Sequence, residues 1–366
     1  MEKITSIQAV AREIPLAVDF PTSYDFRDKR VGKRITHHVF VRIAMGNLTG
    51  MGEGTELDRF TGGTSRTMQE IIESQFAPLL IGLTLEEALV KFRSSVMAYP
   101  HNPGAKLGVE MALYDLWGKQ RAIPLYELLG GRMRKQVPLC AHIGALPVEQ
   151  AIEQARLHLS KGFASLKLKA DGDIAKDIER IGAILEIMPP QGKLRVDANQ
   201  GWINFNRTGQ VLRAVGYSSK LEYIEQPVLR ERAEEMRKIS DTFGIPVFAD
   251  EAIETPRHAM HLLEAGLVDG LCIKLAKCGS LLDGALIAQI AALHHVPVTP
   301  VCAYATSFGA TAELHLAAVA PLLSSGAELA PRMLSQDPGL PKLQLKPTVP
   351  VPERPGVGVE IEFDPS

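Results

Sequence analysis

Five charged residues fall at the ends of five successive strand-like runs: Lys169 in SLKLK, Asp197 in LRVDAN, Glu225 in LEYIEQP, Asp250 in VFADE and Lys274 in LCIKL. The steps between them are 28, 28, 25 and 24 residues, each about one strand plus one crossover helix. Strands repeated in this way form a parallel barrel and deliver their end residues to one mouth. Three carboxylates gathered there repel one another, and each isolated buried charge carries a large desolvation cost. A divalent cation relieves both. Asp197, Glu225 and Asp250 form an oxygen-only ligand set suited to Mg²⁺. No Cys or His accompanies them, which disfavours zinc.

The lysines add a base on either side. Lys167 and Lys169 share a strand face, so mutual repulsion and partial drying are expected to lower a lysine pKa. A lysine tuned in that way accepts a proton near neutral pH. Lys274 comes from the sixth strand, across the barrel from Lys169 on the second. Two amines on opposite faces of one carbon, with a cation on the neighbouring carboxylate, would allow an α-proton to be removed and returned. Strand parity agrees. Lys167 and Lys169 oppose Leu166 and Leu168, and Arg195, Asp197 and Asn199 oppose Leu194, Val196 and Ala198. Asn199 is expected to support the ligands by a hydrogen bond or to end its strand. Glu251 points away by parity, to support the site from behind or cap a helix.

The elements that must position these residues read as follows. Residues 1 to about 55 have a strand-and-turn pattern, and 66–129 a helical one. Thr84-Leu85-Glu86-Glu87 is a capping box opening a helix to about Met97, and 105–120 has apolar residues at helical spacing. This predicts an α+β domain over 1–130. From about 137, strands at 137–144, 165–169, 194–199, 221–227, 247–251, 270–275, 297–302 and 326–330 alternate with helices such as 147–160, 173–187, 231–242 and 281–294. Eight strands in alternation predict an α/β barrel of the TIM type over 131–339. The proline-punctuated segment 340–366 cannot extend a barrel and is expected to return to the first domain.

Bulk properties exclude several classes. The chain has 366 residues and a net charge of -2, which gives no basis for a nucleic-acid or anionic-membrane partner. No run reaches the roughly 20 apolar residues of a membrane span. Four cysteines without a CxxC pair predict neither a disulfide framework nor a zinc site, and a cytoplasmic setting. No GxxxxGK[ST] loop occurs. A homo-oligomer is expected. The pairs His37-His38 and His294-His295 read as structural, Trp202 as packing near the mouth, and Arg332 as either a contact for an anion or a surface ion pair.

In these motifs the chain resembles the enolase superfamily, and within it the muconate lactonizing subgroup. The match lies in Lys167-Leu168-Lys169, Asp197-Ala198-Asn199, Glu225-Gln226-Pro227, Asp250-Glu251 and Lys274, in order and at barrel spacing. The resemblance implies a modified (β/α)7β barrel, with an α+β capping domain that the C-terminal segment completes. It also implies Mg²⁺ dependence and a small carboxylate substrate, with Lys169 and Lys274 as acid–base residues and Lys167 beside them. Cap loops at 20–33 and 53–64 would then close the mouth, with Phe20, Tyr24, Phe60, Thr61, Tyr304 and Glu328 as substrate contacts. Two departures stand out. Dipeptide epimerases carry Asp-x-Asp on the eighth strand, where this chain has Glu328-Leu329-Ala330. Cycloisomerases carry a glutamate where this chain has Ala305. The reading is a racemase, epimerase or cycloisomerase. The alternatives are a syn-dehydratase of the o-succinylbenzoate synthase kind, a dipeptide epimerase of atypical substrate, and a non-catalytic binder.

Overall fold

The computed structural model describes residues 2–18, 20–27, 35–57 and 60–363, with Arg332 described by its backbone alone. Strands β1 (Ile4–Pro15), β2 (Ile35–Met45) and β3 (Leu48–Thr55) form an antiparallel meander. Met45 pairs with Leu48 across a two-residue turn, where Gly46 takes a left-handed φ of 58°. The glycines of LTGMGEGT have a packing role. A Cβ on Gly50, Gly52 or Gly54 would lie 2.1, 1.9 or 2.3 Å from a backbone oxygen of the helix Pro103–Arg121. Their absence of side chains lets that helix lie directly on β3. Helices Ser65–Ile71 and Leu85–Lys91 complete this unit. The Thr84/Glu87 capping box is formed, and past Lys91 the helix widens into a π-type turn, Phe92–Val96.

The second unit follows β4 (Gln136–Pro138). Strands β5 (Cys140–Ile143), β6 (Ser165–Lys169), β7 (Lys193–Asp197), β8 (Leu221–Glu225), β9 (Val247–Ala249), β10 (Gly270–Ile273) and β11 (Val298–Pro300) make one curled parallel sheet in sequence order. Helices follow each strand, among them Val148–Ser160, Ile174–Ile187, Glu234–Phe243, Leu281–Leu293 and Ser307–Val319. Outward-facing Leu166, Leu168, Leu194, Val196, Ile224 and Ile273 join one core with helix residues such as Ile181, Ile184, Leu212, Met236 and Ile287. A buried aliphatic side chain of this kind contributes about 1.5–3 kcal/mol.

The predicted eighth strand is present only as isolated bridges. Leu139 bridges to Ala327 and Val301 to Glu328, both parallel. Cys302 N donates to Glu328 O and Cys140 N to Ala327 O, so this short segment joins the sheet's two outer strands. Beyond it, β12 (Gly339–Leu340) pairs with β14 (Glu360–Ile361), and β13 (Thr348–Pro350) pairs with β4. The C-terminal segment also meets the cap helix, where Val357 N donates to Asp115 Oδ1 at 2.9 Å. No helix among the described residues is long and apolar enough to cross a membrane.

Candidate active site

Parallel register sets the site. Lys169 lies beside Asp197, and Asp197 beside Glu225, at the carboxyl ends of β6, β7 and β8. Asp250 follows β9 directly and Lys274 follows β10. Below them the barrel interior is filled by Tyr223, Phe248, Cys272 and Val301. This packed layer is a firm floor for the charged groups.

Asp197, Glu225 and Asp250 are fully buried, and one oxygen from each lies within 4.8 Å of the others. That spacing and donor set fit one oxygen-seeking dication. In the protein alone, ammonium groups balance the charge. Lys167 Nζ donates to Glu225 at 2.7 and 2.8 Å and to Glu328 Oε2 at 2.6 Å, and stands 3.1 Å from Asp197. Lys169 donates to Asp197 and, at 3.1 Å, to Asn199 Oδ1. Lys274 donates to Asp250 Oδ2. Lys277, which the sequence reading missed, donates to both Asp250 O and Asp250 Oδ1. Its contact depends on the short helical turn Leu275–Cys278 folding back, and its only sequence signal is its place three residues after Lys274.

These contacts set the protonation of the group. Burial opposes ionisation of Asp197, but Lys167 and Lys169 outweigh it and bring its pKa to about 2. Burial likewise opposes Asp250, yet Lys274 and Lys277 hold it well below the usual carboxylate range. Glu225 goes the other way, because burial and the neighbouring Asp197 charge push it up. The lysine expectation is corrected here. Burial pulls Lys167 and Lys274 down, but the carboxylates around them dominate and raise both above the ordinary value. At these two groups, repulsion from other lysines is the smaller effect because both sit against acids.

Above this layer lies a cavity of about 420 Å³. Lys167, Lys169, Asn199 and Lys274 line it together with Phe20, Tyr24, Phe60, Tyr304 and Glu328. Lys274 Nζ lies 4.5 Å from the Phe60 ring centroid, and Tyr24 meets Phe60 edge-on. Thr61 is not among the lining residues. Its hydroxyl donates to Leu57 O within its own turn. Residues 28–33 and 58–59 of the two predicted loops, and the Arg332 side chain, lie outside the described residues. Glu251 differs from its parity reading. β9 ends at Ala249, so alternation stops, and Glu251 turns to the rim, where Tyr24 Oη donates to it at 2.6 Å and Asn199 Nδ2 at 3.2 Å.

Three further residues shape the cavity wall. His142 on β5 lines it and stands 3.6 Å from Glu328. Its sequence signal was an inward parity on a strand named only for its place in the alternation. Glu53 on β3 and His38 on β2 pair at 2.8 Å, and Glu53 also accepts from Thr306 N, Thr306 Oγ1 and Gly309 N. The cap thus fixes the end of the loop that carries Cys302, Ala303 and Tyr304 into the cavity.

Comparison with known proteins agrees with this architecture. Residues 29–130 match the mandelate racemase / muconate lactonizing enzyme N-terminal domain, and residues 150–365 the enolase C-terminal domain-like family. The chain belongs to the mandelate racemase/muconate lactonizing enzyme family. It is an isomerase of the enolase superfamily, as its relatives are. An N-succinyl-L-Arg/Lys racemase of Bacillus cereus is 27% identical, covering 99% of this chain and 96% of that protein. Its crystal structure superposes with a TM-score of 0.90 over 98% of this chain and 96% of that chain. Muconate cycloisomerase 1 of Rhodococcus opacus is 32% identical over 87% of each chain. A dipeptide epimerase of Enterococcus faecalis, solved with Mg and the dipeptide L-Leu-L-Tyr, is 30% identical. It has a TM-score of 0.87 and covers 98% of this chain and 99% of that chain. Family members therefore share the fold and differ in the reaction named for them.

Proposed function

We propose that the protein is a Mg²⁺-dependent racemase or epimerase of a small carboxylate, acting by proton exchange at the carbon α to the carboxylate. One observation carries this reading. Lys169 and Lys274 reach a single cavity from opposite sides of the barrel, directly above three carboxylates that could share one ion. The Mg found with the Enterococcus faecalis epimerase supports the choice of metal.

Asp197, Glu225 and Asp250 would hold the cation. When bound, it would supply positive charge for the substrate carboxylate and loosen the hold of the acids on the lysines. The neutral amine of one lysine takes the α-proton. The C–H pair moves into the carboxylate, giving an enediolate, and an N–H bond forms on that lysine. The ammonium of the opposite lysine returns a proton to the other face and becomes the neutral amine. Lys167 remains a fixed cation, held by Glu225 and Glu328. The aromatic side chains of Phe20, Tyr24 and Phe60 restrict water at the mouth, which strengthens electrostatics below.

The test is a panel of N-acyl amino acids, dipeptides and muconates in D₂O with Mg²⁺, followed by ¹H NMR. Deuterium entering the α position with loss of optical purity is the expected result. Lactone formation would assign cycloisomerisation instead, and release of water with a new conjugated chromophore would assign dehydration. Binding without turnover of any kind would leave only a binding protein.

A further inference from the structure

The two amines are held by different means. Lys169 lies within β6 and is paired in the ladder with Asp197 on β7. Lys274 lies beyond β10, whose last ladder pair is Ile273 with Pro300. Its backbone is set by the turn Leu275–Cys278, where Lys274 O accepts from Lys277 N at 2.9 Å and from Cys278 N at 3.1 Å. A helical turn leaves its first N–H groups unpaired, and the lysine ahead of this one makes no side-chain cap. The Leu275 N–H, next to the amine-bearing residue, therefore needs a partner from another element.

Glu313 is that partner. It is buried in the middle of the helix Ser307–Val319, and its Oε1 accepts from Leu275 N at 2.7 Å. Its Oε2 has no hydrogen-bond partner among the described residues. Burial raises the Glu313 pKa well above the usual carboxylate range, against the Leu275 bond and the charges of Lys274 and Lys277. The group therefore acts as an acceptor oxygen more than as a charge. The helix that carries it is itself fixed. Glu53 of the cap accepts from Thr306 N and Gly309 N, and Asp337 accepts from Ser307 N. Cys302 and Ala303 border both the active-site cavity and a space of about 20 Å³ beside Glu313, so this acid stands behind the cavity wall.

We infer that Glu313 is a positioning residue for Lys274: its carboxyl fixes the backbone from which that lysine reaches the cavity, while Lys169 depends on its own strand pairing. This rests on the isomerase reading above and adds to it a residue that the ligand set and the acid–base pair do not include. Without the bond, a buried N–H is left unpaired and the turn must shift to satisfy it. A displacement of about 1 Å at a catalytic group can lower a rate by roughly 10²-fold.

Three variants test this. Glu313→Leu removes the acceptor, Glu313→Asp falls one methylene short of Leu275 N, and Glu313→Gln keeps an oxygen in place. Each is compared with the parent protein, Mg²⁺-loaded and in D₂O, on single stereoisomers of the N-acyl amino acids and dipeptides of the panel. Lys274→Ala identifies the configuration that Lys274 serves. With Glu313→Leu, α-proton exchange from that configuration should fall by about tenfold or more at saturating substrate, and from the opposite one by less than about twofold. Glu313→Asp should give the same asymmetry in milder form, and it decides the matter if the Leu variant does not fold. Glu313→Gln should recover most of the lost rate. Equal losses on both configurations, or exchange that neither Leu nor Asp slows, overturn the inference and leave the isomerase reading. A parent protein that exchanges none of the compounds removes that reading, and the inference with it.

Discussion

Tyr24 of the cap and Glu251 of the barrel are joined by a 2.6 Å hydrogen bond between two buried side chains. Gln200 donates to the same Tyr24 hydroxyl at 2.9 Å, and Ser23 donates to Asn199 O at 3.0 Å. The short helix Ser23–Arg27 is thus tied to the loops that follow β7 and β9. Burial and the nearby Glu251 charge raise the Tyr24 pKa, so the phenol stays a donor. Tyr24→Phe keeps the ring against Phe60 and removes the tie. Hydrogen bonds to charged groups are worth about 1.5–3 kcal/mol, so the thermal midpoint should fall by several degrees, and kcat/KM should fall by about tenfold as the cap loses its hold on the loops beside the lysines. Steady-state kinetics beside a melting curve checks this. Unchanged kinetics would show that the tie has no part in turnover.

The two lysines should separate by stereochemistry. With Lys169→Ala, exchange from the enantiomer that this amine serves should drop by on the order of 10³-fold, the range for loss of a general base. The mirror substrate should still exchange its proton through Lys274, although it cannot be inverted. Lys274→Ala should give the opposite pattern. Single-enantiomer exchange in D₂O distinguishes this from equal loss on both enantiomers, which would mean that one amine does all the proton transfer.

The strand-end charges were legible because each interrupts an apolar strand at the pitch of a βα unit, and strand alternation is a strong local rule. Lys277 was not, since its contact with Asp250 comes from a turn of Leu275–Cys278 that no periodicity announces. Glu251 was misread for a related reason: alternation was extended past Ala249, where the strand had already ended. The raised lysine pKa values are a tertiary effect. Sequence shows Lys167 next to Lys169, whereas folding brings in Glu225 and Glu328 from 58 and 161 residues away. Among the cap-loop positions, Phe20, Tyr24 and Phe60 reach the cavity and Thr61 does not, a choice made by backbone turns rather than by residue type.

Metal removal gives a further test. Chelation should abolish exchange and Mg²⁺ should restore it. A ligand at about 100 times its Kd stabilises the folded state by about 2.7 kcal/mol, enough to raise the melting temperature by several degrees. Asp250→Asn should lose both the activity and the Mg²⁺-dependent shift, because it removes an anion from the cluster while Lys274 and Lys277 still contact the site. A chelated protein that retains full exchange would rule out the metal's part in the reaction.

Acid sensitivity should come in part from a group remote from the cavity. His315 is fully buried in the helix Ser307–Val319, packs on the Tyr126 ring and hydrogen-bonds Val357 O at 3.0 Å. Burial lowers its pKa to about 4, with the Val357 bond only partly opposing the shift. The folded chain therefore keeps this ring neutral while the unfolded chain protonates it near pH 6.5, so stability is present above that pH and is lost as pH falls towards 4. Between pH 7 and pH 5 the linkage amounts to about 2 kcal/mol. His315→Gln retains a donor for Val357 and removes the titration. The variant's urea midpoint should change less between those two pH values than that of the parent protein. Equal pH dependence in both would place the acid-sensitive group elsewhere.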